Sequence, residues 1–329
     1  MDHVKRNIEA LVTLVTAFHI RAMPISLIPL MMGLFALVPP GRPAAPPTDR
    51  IDSLRASIER RIAEVKGAVV GVAFRDVGTP DSVFINADDS FHAASTMKVP
   101  VMIELFRRVD AGGLRLDQGI LLVNQFASIV DGSPYSLNAG DDSDSLAYTK
   151  VGSRVTVREL IDRMITRSSN LATNALIELA GAARANETAH ALGAKNIRVL
   201  RGVEDGKAFS AGLNNTTTAR DLAALMEAIE TERAASSASC AAMRDVLLRQ
   251  EFNAEIPAGL PAGTKVAHKT GFITGVLHDA AIVYPASRRP YVLVVLTRGI
   301  PEQAVARLLI ADISRLVYAH VASSPATAK

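Results

Sequence analysis

One cysteine stands in the 329 residues. Cys240 therefore has no internal disulfide partner, and no CxxC metal or redox site can form. In an Ala/Ser-rich helical stretch it reads as a buried, inert thiol. A one-signed charge surplus is also missing. The formal charge is +3, and residues 1–45 hold Lys5, Arg6, Arg21 and Arg42 against Asp2 and Glu9, which leaves 32 basic and 31 acidic side chains beyond them. Neutralising many phosphates takes a clustered basic excess, so nucleic acid is excluded as a partner. No H-x-x-E-H, H-E-x-x-H or other zinc spacing occurs, which leaves no metal site to predict. No G-x-S-x-G elbow surrounds any serine, so His92, His268 and His278 read as structural or cleft-lining residues rather than triad members. Internal repeats and low-complexity tracts are absent. What is present, 49% hydrophobic and 21% charged residues, suits a globular chain with a sizeable core, about two domains' worth at ~150 residues each.

One uncharged stretch stands out. Residues 22–41 carry no charged side chain, and 27–38 are strongly apolar. Lys5, Arg6 and Arg21 precede the stretch, and Pro39, Pro40, Gly41, Pro43, Ala44, Ala45, Pro46 and Pro47 follow it. A basic segment, an apolar segment and a small-residue exit describe a secretory signal peptide. Residues 1–47 are therefore expected to be a leader or an N-terminal anchor, with the mature domain, 48–329, beginning near Thr48. The protein is expected to be exported, periplasmic or secreted, with membrane contact only through this segment. The long basic part is also compatible with a start at Met23.

Beyond the leader, Ile51, Leu54, Ile58, Ile62 and Val65 recur at three and four residues, one face of an amphipathic helix. Short strands are expected at 69–74 and 82–85. A helix starting near Ser95 turns Val99, Met102, Ile103, Phe106 and Val109 inward and ends at Gly112-Gly113. Residues 131–145 are polar, acidic and turn-rich, which predicts a surface loop or insertion. Thr156 with Glu159 makes a capping box. Helices follow at 170–180, 184–192, 216–231 and 234–249, then strands at 265–270, 279–284 and 291–297, and a closing helix at 301–321. Both ends of the chain thus build one antiparallel sheet (about 48–90 and 262–329), and the middle (about 91–261) forms a helical lobe, an α+β arrangement.

Three short patterns carry chemistry. Ser95-Thr96-Met97-Lys98 places a hydroxyl and an amine one helical turn apart. An adjacent amine can take a serine proton, provided burial keeps it neutral at the moment of attack. The helix start adds backbone N–H groups and a positive dipole end near an attacked carbonyl. Read alone, Ser95 is equally an N-cap and Lys98 a solvated face. Ser168-Ser169-Asn170, between two helical patterns, offers a hydroxyl that can relay a proton and a carboxamide that donates and accepts. Alone, it is an ordinary interhelical turn. Lys269-Thr270-Gly271, at the end of a strand, suits a substrate carboxylate, and the glycine lets backbone and ligand come close. Lysine on a sheet edge also defends against aggregation.

Together, S-x-x-K, S-x-N and K-T-G form the signature of class A β-lactamases and penicillin-binding proteins. Over about residues 50–321 the chain resembles the penicillin-recognising serine hydrolases, class A β-lactamases most of all. Val155-Thr156-Val157-Arg158-Glu159-Leu160, Asn174 and Thr216-Thr217-Thr218 fit that pattern too. The resemblance implies a β-lactamase/transpeptidase-like fold, with a five-stranded antiparallel sheet flanked by terminal helices beside an all-helical lobe. It implies that Ser95 is acylated, Lys98 is its base, Ser168 passes the proton on and Asn170 holds the substrate's side-chain amide. Lys269 and Thr270 would bind its carboxylate, with Gly271 beside them, and the backbone N–H groups of Ser95 and Phe272 would form the oxyanion hole. No cofactor or metal is implied, the substrate is a β-lactam or a peptidoglycan-like molecule, and the protein is expected to be a monomer.

The sequence departs from the family in four places. Ser169 replaces an aspartate that braces the loop, and Phe272 is bulky where a small residue is usual, which is expected to reshape the cleft floor. The segment 131–145 looks inserted. Glu204, in Arg201-Gly202-Val203-Glu204-Asp205-Gly206-Lys207-Ala208, takes the place of the deacylating glutamate, but Ala208 stands where an asparagine normally follows. Asp205 is the rival base, and a solvated acidic loop is the plain alternative. A backbone carbonyl, Asn214 and Asn215 are the candidates to hold the water instead. Besides the β-lactamase, the motifs allow a D-alanyl-D-alanine carboxypeptidase or esterase, or a sensor module that is acylated without turnover.

Overall fold

A computed structural model describes residues 47–286 and 288–323. The expected leader therefore lies outside the described residues, apart from Pro47. The helices are α1 (Pro47–Ala63), α2 (Lys98–Asp110), α3 (Val157–Thr166), α4 (Asn170–Ala180), α5 (Ala182–Ala191), α6 (Gly206–Ser210), α7 (Ala219–Glu230), α8 (Ser237–Leu248) and α9 (Gln303–Ser323). The strands are β1 (Val69–Asp76), β2 (Ser82–Ile85), β3 (Phe91–His92), β4 (Gly119–Leu121), β5 (Phe126–Ala127), β6 (Pro134–Tyr135), β7 (Arg154–Thr156), β8 (Thr216–Thr217), β9 (Lys265–Ile273), β10 (Val276–Tyr284) and β11 (Tyr291–Arg298). Five of them form the antiparallel sheet β2-β1-β11-β10-β9. The first two and last three strands meet because β1 pairs with β11, Val72 opposite Val295.

Both faces of this sheet are covered, so its central strands read as nearly unbroken apolar runs. Side chains still alternate. Val70, Val72 and Phe74 of β1, with Leu293 and Val295 of β11, pack on Leu54, Ile58, Ile310, Ile313 and Val317 of the terminal helices. Ala73, Val294 and Leu296 face a second core made by the helical lobe, with Met102, Leu105, Leu160, Leu176, Leu222 and Met226. At ~1.5–3 kcal/mol per fully buried large apolar side chain, these two cores are the main favourable term of folding.

Several boundaries differ from expectation for local reasons. The helix expected from 216 starts at Ala219, because Thr216 and Thr217 pair with Phe91 and His92 and the Thr218 hydroxyl then caps α7 at Asp221 N. Strand β9 runs on through Ile273, so Lys269-Thr270-Gly271 lies inside a strand rather than at its end. Strand β10 begins at Val276, three residues early, because His278 and Asp279 are buried polar members of it. The segment 131–145 is a loop only in part: β6 pairs with β5, and Asp142 and Asp144 are buried. Among the described residues no helix is long and apolar enough to cross a membrane.

Candidate active site

The three motifs converge where the helical lobe meets β9, the outermost strand on its side of the sheet. Ser95 sits in a 3-10 turn (Ala94–Met97) that runs directly into α2. Ala94 holds a left-handed backbone, φ +45°, while its N–H donates to Nδ1 of His92 at 3.0 Å. The Thr96 hydroxyl ties the same turn to Ala93 O at 2.6 Å. The turn is thus fixed from both ends, leaving Ser95 part-buried on the cleft wall. Gly271 of β9 passes so close that a Cβ there would lie 3.2 Å from the backbone nitrogens of Ser95 and Thr96. Any side chain there would force strand or turn to give by a few tenths of an ångström.

Lys98 and Lys269 are completely buried. The Lys98 amine donates to Ser168 O at 2.6 Å, Ser168 Oγ at 3.1 Å and Asn170 Oδ1 at 3.1 Å. The Lys269 amine donates to the same Ser168 Oγ at 3.0 Å and to Thr270 O at 2.8 Å. One hydroxyl therefore accepts from two buried amines, which leaves its own hydrogen free to point elsewhere. Burial lowers Lys98 to about 7, against a partial counter-effect of Asp142 and Glu204. Burial, and then the Lys98 ammonium, push Lys269 well below its ordinary value, with Asp279 and Glu255 opposing. Two amines in a dry pocket cannot both hold their protons cheaply.

Asn170 joins the halves of the site. Its Oδ1 accepts from Lys98, and its Nδ2 donates to Glu204 Oε1 at 2.6 Å. Glu204 opens to the cleft on one side and packs into protein on the other. That packing raises its carboxyl above the ordinary value, Asn170 pulls it down, and Asp142 and Asp141 add to the rise. Ser168 and Glu204 both have left-handed backbones, φ +57° and +61°, an uncommon conformation for residues other than glycine.

The loop bearing Glu204 is held by amides. Asn174 Oδ1 accepts from Val203 N at 2.7 Å while its Nδ2 donates to Val203 O at 3.1 Å. Asn215 closes the neck, its Oδ1 accepting from Leu200 N and Arg201 N and its Nδ2 donating to Arg201 O. Asn214 Oδ1 accepts from the Arg201 guanidinium. Asn215 is thus committed to the loop at both ends of its carboxamide, and Asn214 lends it the Oδ1. Asp205, the rival base, is buried and accepts from Ser128 Oγ at 2.9 Å, Ile129 N at 3.0 Å and Ala208 N at 3.0 Å. It is an anchor, with both oxygens occupied. Ala208 is buried in α6 and offers no side-chain donor.

The cleft encloses about 660 Å³ and is lined by Ser95, Asn170, Arg201, Glu204, Phe209 and Phe272 among others. Phe272 is 53% exposed and Phe209 57% exposed, so Phe272 forms a wall at the mouth and not the floor expected of it. His268 and His278 are fully buried. His278 bonds His92 O at 2.8 Å, and His268 faces Asp279 at 3.0 Å. Cys240 is buried too. Among the described residues no cluster of His, Cys, Asp or Glu has metal-site geometry. Sequence reasoning missed Asp142, which lay hidden in an acidic run that reads as solvated, and the loop-holding work of Asn174 and Asn215.

Comparison with known proteins agrees with this geometry. The family model described as Beta-lactamase enzyme family matches residues 53–321. Beta-lactamase AST-1 of Nocardia asteroides is 30% identical over 285 residues, covering 84% of this chain and 87% of that protein. The crystal structure of a β-lactamase from Sphaerobacter thermophilus matches with a TM-score of 0.70 at 28% identity, covering 84% of this chain and 98% of that one. PBP-A matches with a TM-score of 0.70 at 29% identity, covering 81% and 95%, and a variant of PBP-A was solved as an acyl-enzyme complex with penicillin G. The fold is β-lactamase/transpeptidase-like. With its three motifs gathered into one cleft and the family's pattern running through 53–321, the chain belongs to the β-lactamase enzyme family.

Proposed function

We propose that the protein hydrolyses β-lactams through an acyl-enzyme on Ser95. Lys98, titrating near neutrality, takes the Ser95 proton as Oγ attacks the lactam carbonyl. Backbone N–H groups of Ser95 and Phe272 receive the developing oxyanion. Ser168 gives its proton to the leaving nitrogen as the C–N bond breaks, and Lys98 restores it through the contact at 3.1 Å. Lys269 and Thr270 hold the substrate carboxylate, whose negative charge returns Lys269 toward its protonated form. Asn170 Nδ2 has two hydrogens, one given to Glu204 and one left for the acyl amide. Glu204 then removes a proton from water, which attacks the ester and frees Ser95.

The observation that carries this reading is the Ser168 hydroxyl held by both buried amines, because it makes a proton route from Lys98 toward the leaving nitrogen. Intact-mass spectrometry after mixing with penicillin, run beside a chromogenic cephalosporin assay, tests it. A transient added mass with sustained turnover is expected, and Ser95→Ala should lose both. Labelling at another serine would overturn the assignment. A second reading, a D-alanyl-D-alanine carboxypeptidase or a non-turnover sensor, draws on the loop: Ala208 offers no side chain to hold water, and Asn214 and Asn215 are engaged elsewhere. An added mass that never leaves would favour it. We propose further that residues 1–47 direct export of a monomeric domain starting near residue 48. Cell fractionation with sizing of the exported form tests this, and a cytoplasmic protein would refute it.

A further inference from the structure

The segment 131–145 carries a buried carboxylate that the steps above leave unused. Asp142 is 7% exposed. Its Oδ2 accepts from Asn170 N at 2.9 Å, Leu171 N at 3.0 Å and the Tyr148 hydroxyl at 3.1 Å, and its Oδ1 accepts from Asp144 N at 3.0 Å. The first N–H groups of a helix have no partner within it and favour a negative charge. Here that charge arrives from 28 residues away in sequence, while the neighbouring Ser169 hydroxyl takes only Ala172 N at 3.3 Å. Asp142 is itself held. Asp144 is clamped by Arg163 at 2.8 Å, and burial and the Asp142 charge keep the Tyr148 phenol above its ordinary range, a neutral donor.

We propose that Asp142 is a positioning residue: by gripping the Asn170 and Leu171 backbone it aims the Asn170 carboxamide that Lys98 and Glu204 share, and it sets a fixed negative charge beside Lys98. The Lys98 amine touches Ser168 from the turn and Asn170 from α4, shares the Ser168 hydroxyl with Lys269 of β9, and feels the charges of Glu204 from the loop before α6 and of Asp142 from 131–145. Of these, Asp142 and Glu204 favour the protonated amine and Lys269 opposes it. The acidic segment is thus part of the catalytic turn, not an appendage to it.

This inference rests on the Ser95–Lys98 reading, so the test begins with penicillin labelling of Ser95 in the wild-type protein across pH. Absence of that label overturns the functional reading and this one with it. Asp142→Asn keeps an oxygen for the Asn170 and Leu171 N–H groups, gives up the bond from Asp144 N and removes the charge. Its labelling profile should keep its height within about threefold while its acid limb moves about one pH unit lower. Asp142→Ala should slow labelling and release of the label together, at least tenfold each, and Asp142→Glu should recover part of both. A merely structural residue would lower thermal stability and leave limb and rates per folded molecule unchanged. If Asp142→Asn reproduces the wild-type profile while wild type labels normally, the proposal fails, whether or not Asp142→Ala folds.

Discussion

Replacing Glu204 with glutamine separates the two halves of the proposed cycle. The new amide oxygen can still accept from Asn170 Nδ2, now 2.6 Å from the carboxylate, so the Asn170 platform and the acylation geometry survive. The base does not. General-base assistance is worth roughly 10²–10⁴-fold, or about 3–5 kcal/mol at 1.36 kcal/mol per tenfold, and all of it falls on deacylation. Removing the charge also removes one of the two anions that favour the Lys98 ammonium, so acylation at neutral pH is kept or slightly quickened. Stability should hold, since a partly packed carboxylate becomes a neutral group in the same place. Stopped-flow mixing with a chromogenic cephalosporin should show a full burst followed by a much slower steady state, and mass spectrometry should show the adduct accumulating. Wild-type turnover in Glu204→Gln would refute the reasoning and leave no carboxylate in the loop to replace it, because both oxygens of Asp205 are occupied.

Other outcomes follow from the same geometry. Acylation, read as kcat/KM, should rise through pH 7 as Lys98 loses its proton, whereas deacylation should fall toward acid as Glu204, raised above the ordinary carboxylate range by its packing, is protonated; a deacylation rate flat with pH down through that range would contradict the division of labour. Folded Lys98 binds its proton less tightly than the unfolded lysine at 10.5, so the unfolded chain holds more protons between about 7 and 10.5 and this group makes stability rise with pH there; denaturant midpoints for Lys98→Met should show a flatter rise across that window. Asp205→Ala removes three accepted hydrogen bonds, which should cost about 1–3 kcal/mol in chemical unfolding and slow deacylation more than acylation. Gly271→Ala brings a methyl to 3.2 Å from the backbone nitrogens of Ser95 and Thr96, so strand or turn must give by a few tenths of an ångström; kcat/KM should fall severalfold while the melting temperature barely moves, and an unchanged kcat/KM would show that strand and turn are not held in register.

Elements governed by one local rule were legible in the sequence. Val70, Val72 and Phe74 alternate, and Thr156 caps α3 at Glu159 N, so strands and helices could be placed to within a few residues. The lysines and serines of the three motifs were legible because their spacings are chemical statements. What could not be read was decided by partners far along the chain. Asp142 looks like any solvated aspartate until Asn170 N arrives above it. Thr216 and Thr217 look helical until Phe91 and His92 offer a ladder. Ala208 suggested a missing water ligand, but only the structure shows that Asn215 is spent on the loop neck and that Asn214 lends its Oδ1 to Arg201.

Three of the non-glycine residues with left-handed backbones, Ala94, Ser168 and Glu204, flank or form the reacting centre. Such a conformation costs roughly 1–2 kcal/mol per residue, against the margin of about 5–15 kcal/mol that folded proteins in general hold. The cleft is therefore a standing load on the fold, and glycine at any of these positions relieves it. Selection for thermal robustness alone would drift toward Glu204→Gly, giving tougher, inert descendants, whereas Ser168→Gly would exchange its strain for two buried amines robbed of their shared acceptor. Selection by antibiotic would hold the strained residues in place. A library screened first for heat survival and then for turnover should split along that line.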